Sequence, residues 1–180
     1  YSDPARPPQV SLHDATGRRL AWLVENPLDA DHPYAPYRDR HVLPEFGTLP
    51  AADGTPLYWQ MYKPAGYEPG KRYPAVLLVY GGPTVQTVAR RWGERRGSQT
   101  AQLLTQRGYV VFAIDNRGSG GRGQKFTEAL YRRLGGVEVT DQLAGVAWLK
   151  RQPFVDPARV GVFGWSYGGY MTLMLLGQSP

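Results

Sequence analysis

Apolar residues along this 180-residue chain gather into short dense runs, set apart by glycine and proline punctuation. Tyr73–Tyr80 is a nearly continuous apolar run that ends at Gly81-Gly82-Pro83, the signature of a central strand feeding a loop. Tyr109–Asp115 is a second such run, and Arg159–Gly164, after the turn signal Asp156-Pro157, reads as a third buried parallel strand. Leu57–Lys63 alternates loosely and is rich in aromatics, so it reads as a strand, with Asp53-Gly54 as a hairpin turn before it. Between these runs the period changes. Ser98–Arg107 has helical spacing, with Ala101 and Leu104 on one face and Gly108 as a stop. Val139, Leu143, Val146 and Ala147 define the apolar face of another helix. Tyr170–Leu176 is apolar nearly all round before Gly177, as a buried helix would be. Strands alternating with helices predict an α/β fold, a doubly wound parallel sheet with helices on both faces.

The first forty residues follow a different pattern. Val10–His13 and Arg18–Glu25 read as two short strands, joined by Asp14-Ala15-Thr16-Gly17, with Asp first and Gly last as a type I turn prefers. Pro27, Pro33, Pro36 and Pro44 then mark a linker. The expected division is therefore a β-rich segment with its linker over residues 1–40, and an α/β segment over residues 41–180. His13, His32 and His41, the only histidines, lie in or near the linker and read as solvated loop residues.

The strand-to-helix junction near the end carries the clearest chemistry. Gly164-Trp165-Ser166-Tyr167-Gly168 is a G-x-S-x-G sequence with a strand before it and a helix after it, the context of a nucleophile elbow. At so tight a turn, side chains at the flanking glycines would collide with the neighbouring strand or helix, and the helix N-terminus would favour negative charge near Ser166. The pattern points to acyl transfer through Ser166 on an α/β-hydrolase fold. The competing reading is a Gly/Ser-rich turn without chemistry. In that fold an acid and then a histidine follow the serine, yet no Asp, Glu or His lies between Ser166 and Pro180. A serine hydroxyl without a base is a weak nucleophile. With Tyr rather than Met at residue 1, the expectation is a piece of a longer enzyme whose sheet is incomplete here.

Composition narrows the alternatives. Hydrophobic residues make up 42% and charged residues 20%, a globular balance. The net charge of +6 comes mostly from scattered arginines. The one cluster, Arg90-Arg91-Trp92-Gly93-Glu94-Arg95-Arg96, is broken by a glutamate and reads as a solvated face, so no nucleic-acid partner is expected. No apolar stretch approaches the ~20 residues of a membrane span. Cysteine is absent and no metal-ligand spacing occurs, so neither a metal nor a cofactor is expected. Gly118-Ser119-Gly120-Gly121-Arg122-Gly123 matches G-x-G-x-x-G literally, but lacks the helix and the acid-tipped second strand of a dinucleotide site. It reads as a structural loop beside the active site.

Four motifs occur in order: Val79-Tyr80-Gly81-Gly82-Pro83, Asp115-Asn116-Arg117-Gly118-Ser119-Gly120, Leu134-Gly135-Gly136-Val137-Glu138-Val139 with Asp141-Gln142, and Gly164-Trp165-Ser166-Tyr167-Gly168-Gly169-Tyr170. Together they resemble the prolyl oligopeptidase group of serine peptidases, most closely its dipeptidyl peptidase IV branch. The resemblance is strong from about Phe46 onward and weak before it. It implies a β-propeller ahead of the α/β-hydrolase domain, its last strands falling within residues 1–40. It implies that Ser166 is the nucleophile, that the Tyr80 hydroxyl and the Tyr167 backbone N–H are the oxyanion donors, and that the Tyr167 ring lines a proline-sized S1 pocket. Without the Gly-Gly-Pro after it, Tyr80 would read as a strand-end core tyrosine. The implied activity is release of N-terminal dipeptides with Pro or Ala second, from peptide substrates, with the triad Asp and His beyond Pro180. A homodimer in the bacterial periplasm or secreted is likewise implied. An acylaminoacyl peptidase or esterase of the same fold, or a non-catalytic binding relative, stays open.

Overall fold

The computed structural model describes residues 1–93 and 98–178; Glu94, Arg95 and Arg96 of the basic cluster, and Pro180, lie outside the described residues. Two sheets form. Strands β1 (Val10–His13) and β2 (Arg19–Val24) make the expected antiparallel hairpin. Its turn is organised by Asp14, whose Oδ1 accepts from the Thr16 N–H at 2.9 Å, the Thr16 hydroxyl at 2.6 Å and the Arg18 N–H at 3.0 Å. The Thr16 hydroxyl first, then the Arg18 Nε bond to Oδ2 at 3.0 Å, hold the Asp14 carboxyl down at about 2. Burial contributes little there, for Val10, Leu12, Leu20, Leu23 and Val24 are all exposed.

The proline-rich linker coils into a 3₁₀ turn at Ala35–Arg40 and folds back on the body of the molecule. The His41 ring stacks on Trp92 at 4.8 Å, Tyr34 meets Trp92 edge-on at 5.1 Å, and His41 Nδ1 lies 2.9 Å from the Tyr34 hydroxyl. His41 is therefore half-buried in an aromatic cluster rather than a solvated loop residue, whereas His13 is exposed as expected.

The main sheet holds β3 (Glu45–Pro50), β4 (Pro56–Tyr62), β5 (Tyr73–Val79), β6 (Val110–Asp115) and β7 (Val155–Gly164), in the spatial order β3-β4-β6-β5-β7. It is mixed, which corrects the expectation of a parallel sheet. Strands β5, β6 and β7 run parallel, but β4 is antiparallel to both β3 and β6. The cause is local. A tight turn closed by Gly54 N–H to the Ala51 carbonyl at 2.9 Å joins β3 to β4, and so short a connection leaves only antiparallel pairing. The core lies on β5 and β6, with Leu77, Val110 and Phe112 fully buried among Leu57, Val139, Leu149 and Met171. Helix α1 (Ser98–Gln106) ends as expected at Gly108, where Tyr109 N–H reaches the Leu104 carbonyl and Gly108 N–H the Thr105 carbonyl, both at 3.1 Å, in a Schellman cap.

Three elements depart from their patterns. Helix α3 (Val137–Lys150, after the short α2 at Gln124–Thr127) buries Val139 and half-buries Leu143 and Val146, but exposes Ala147. Its buried side also carries Glu138, Asp141 and Gln142. Strand β7 runs parallel to β5 as expected and among the described residues pairs with β5 alone; Phe163 on it is 54% exposed, where the sequence predicts a buried strand. Helix α4 (Tyr167–Gln178) runs through Gly177 without stopping. Only Gly168, Met171 and Leu175, one stripe at helical spacing, are buried in it, while Leu173 is 71% exposed. Among the described residues no strand pairs with the other edge of β7. No described helix is long and apolar enough to cross a membrane.

Candidate active site

Ser166 occupies the junction between β7 and α4 with φ +57°, a left-handed backbone that few non-glycine residues adopt. Its carbonyl accepts from Gly169 N–H at 2.9 Å and Tyr170 N–H at 3.2 Å, which makes it the N-cap of α4. The side chain stands exposed. A Cβ on Gly164 would lie 2.6 Å from the Val79 carbonyl oxygen, and one on Gly168 would overlap that same oxygen. Strand β5 therefore presses on the elbow from both sides of the serine, and these two glycines are steric necessities. Gly169 is not, since its nearest neighbour would be 3.8 Å away.

Val79 ends β5, and Tyr80 follows it directly to the same place. The rings of Tyr80 and Tyr167 sit 6.2 Å apart at 41°. They approach because the next turn carries no side chain: a Cβ on Gly82 would lie 2.8 Å from Tyr80 Cε1 and 2.9 Å from Tyr167 Cγ. Ser166 and Tyr80 line one cleft of about 610 Å³, with Thr87, Gln99, Phe163 and Trp165 in its walls. Trp165 is 82% exposed. The three residues singled out in the sequence, Ser166, Tyr80 and Tyr167, are thus brought together. None of the three histidines lines this cleft.

The loops around the cleft rest on buried polar groups. Asp115, at the end of β6, accepts from Thr87 N–H at 2.7 Å and Val88 N–H at 3.2 Å, which fixes the loop after Tyr80. Burial pushes its carboxyl up to about 6. Asn116 donates to the Gly81 carbonyl at 3.1 Å and accepts from Gln142 at 2.8 Å. Arg117 grips Asp141 through Nε at 3.0 Å, Nη2 at 2.7 Å and its backbone N–H at 2.8 Å, and reaches Asp53 in the β3–β4 turn at 2.6 Å. The glycine-rich segment closes on this frame: Thr84 N–H donates to the Gly118 carbonyl at 2.9 Å, and a Cβ on Gly120 would overlap the Thr84 carbonyl oxygen. It is a packed structural loop.

One site residue escaped its motif. Glu138 is fully buried, and its Oε1 accepts from the Tyr167 hydroxyl at 2.9 Å. Burial first, then this bond, raises the Tyr167 phenol well above the usual tyrosine range. The paired glycines just before Glu138 at a helix start were the available signal.

A mixed α/β sheet bearing an exposed serine on a left-handed elbow defines the class. The prolyl oligopeptidase family matches residues 96–180. The chain is 44% identical over 187 residues to dipeptidyl peptidase 8 of Mus musculus, covering 99% of this chain and 20% of that protein. It is 34% identical over 170 residues to dipeptidyl peptidase 4 of Bos taurus, covering 94% of this chain and 21% of that protein. The crystal structure of Porphyromonas gingivalis dipeptidyl peptidase 4 superposes with a TM-score of 0.86 at 34% identity, covering 98% of this chain and 24% of that one. The chain thus spans between a fifth and a quarter of the length of these relatives. It belongs to the prolyl oligopeptidase family of serine peptidases, in the dipeptidyl peptidase IV branch.

Proposed function

We propose that these residues carry the nucleophile and oxyanion side of a serine exopeptidase that releases N-terminal dipeptides with Pro or Ala at the second position. One observation carries the reading: Ser166, held at φ +57° and exposed, shares a cleft with Tyr80, and Tyr167 stands beside them. The names and likeness of the relatives support the dipeptide product. In this reading the full-length protein completes a doubly wound α/β-hydrolase sheet, and the 10–24 hairpin belongs to the end of a β-propeller. The family resemblance also supports a periplasmic or secreted homodimer.

Ser166 Oγ attacks the carbonyl carbon of the substrate's second residue while its proton passes to a histidine elsewhere in the full-length protein. In this reading the new oxyanion receives hydrogen bonds from the Tyr80 hydroxyl and the Tyr167 N–H, the two donors the family resemblance supports. Collapse breaks the C–N bond, the histidine returns the proton to the leaving amine, and water hydrolyses the acyl-enzyme.

A fluorophosphonate probe on the full-length protein tests this. The expected result is label on Ser166 and turnover of Xaa-Pro and Xaa-Ala amides. Turnover of short acyl esters alone would make the protein an esterase, and an unlabelled, folded protein would make it a binding relative. Tyr80→Phe should lower kcat by about 10²–10³, the size of one lost oxyanion donor.

A further inference from the structure

Glu138 invites explanation because a fully buried carboxylate is costly unless hydrogen bonds or a cation compensate it. Among the described residues no cation pairs with it. Three donors do the work instead. Gly135 N–H reaches Oε1 at 2.5 Å and Gly136 N–H reaches Oε2 at 3.0 Å, so the side chain folds back over the start of its own helix, where the helix dipole favours an anion. The third donor is the Tyr167 hydroxyl, 29 residues away in sequence at the first position of α4.

That third bond is what a simple helix cap would not need. It ties the N-terminus of α3 to the residue next to Ser166. The Tyr167 ring is then held from three sides. Tyr170 meets it edge-on at 5.1 Å, Tyr80 and Gly82 flank it, and Glu138 holds its hydroxyl end. The Gly135 turn itself packs on α4, for a Cβ there would lie 2.5 Å from the Tyr170 hydroxyl oxygen. Both α3 and α4 begin at this contact, so a shift of one start is passed to the other.

We infer that Glu138 is a positioning residue for the proposed reaction: by holding the Tyr167 hydroxyl it fixes the ring that packs against Tyr80 at the cleft and, through the same residue's backbone, the N–H beside Ser166. This rests on Ser166 being the nucleophile. Glu138 touches no reacting atom, so its effect runs through Tyr167 alone.

The test is a double-mutant cycle on the full-length protein with Tyr167→Phe, Glu138→Gln and the pair, measured with Xaa-Pro and Xaa-Ala amides. Tyr167→Phe keeps the ring and leaves the α3 cap intact, so it stays informative if a Glu138 variant folds poorly. Each single change should lower kcat by on the order of 10- to 100-fold, as a misplaced site does, with KM moving much less. The Pro-over-Ala preference should shift in both, and the pair should cost no more than the worse single change. Full additivity, or a lowered Tm with kcat and the Pro/Ala ratio unchanged, would reduce Glu138 to a helix cap and overturn the inference while leaving Ser166 labelled. A wild-type protein that does not label at Ser166 would overturn the nucleophile reading as well, which separates the two failures.

Discussion

The hairpin at residues 10–24 and the five-stranded sheet are both β-structure, yet different forces hold them. The hairpin keeps most of its apolar side chains in solvent and is shaped by the Asp14 turn. The sheet buries every side chain of β6 and braces its loop ends with Asp115, Asn116 and Asp141. The lesson is that regular backbone pairing says little about where stability resides. In this chain the burial, the buried polar groups of α3 and the elbow serine all gather around the same sheet.

The sharpest way to break that contrast is to remove Asp141. Asp141→Ala strands the Arg117 guanidinium, whose side chain is only 16% exposed and keeps just the exposed Asp53 as partner. A loss of about 3 kcal/mol is expected in denaturant titration of the full-length protein. Asp115 gives a smaller effect that depends on pH. Its carboxyl stands at about 6 in the fold, above the ordinary 3.8, so the folded state binds the proton more tightly. The stability it contributes is complete below about pH 4 and is lost as pH rises through about 6, an amount on the order of 2–3 kcal/mol. Asp115→Asn should flatten that slope between pH 4 and 7 when stability is measured at each pH. At the small end, Asp14→Ala should leave the unfolding midpoint of the sheet unchanged and speed amide exchange only across residues 10–24. A lowered midpoint would mean that the hairpin supports the sheet after all.

How much could be read in advance follows the same division. Strands β5 and β6, helix α1, the hairpin turn and the elbow announce themselves because one local rule, a dense apolar run or a glycine at a tight bend, decides each of them. Strand β3 does not. Bracketed by Pro44 and Pro50 and mostly unburied, it has no apolar alternation and is defined by backbone pairing to β4 alone. With it went the mixed sense of the sheet. The buried side of α3 was illegible for another reason. A period of apolar residues marks only the contacts made by hydrocarbon, whereas Glu138, Asp141 and Gln142 are buried because partners far along the chain receive them. Ser166, Tyr80 and Tyr167, singled out in the sequence, stand together, while the residue that links helices α3 and α4 was hidden in a motif read only for its resemblance.

The left-handed backbone at Ser166 has an evolutionary consequence. A serine there holds a conformation that costs on the order of 1–3 kcal/mol and that glycine adopts freely. A change to glycine would relieve strain and remove the hydroxyl in one step. If Ser166 is the proposed nucleophile, the fold would gain while the chemistry vanished, so drift toward greater stability runs directly against activity at this position. In that reading a lineage released from the need to catalyse has a downhill route to silence at residue 166.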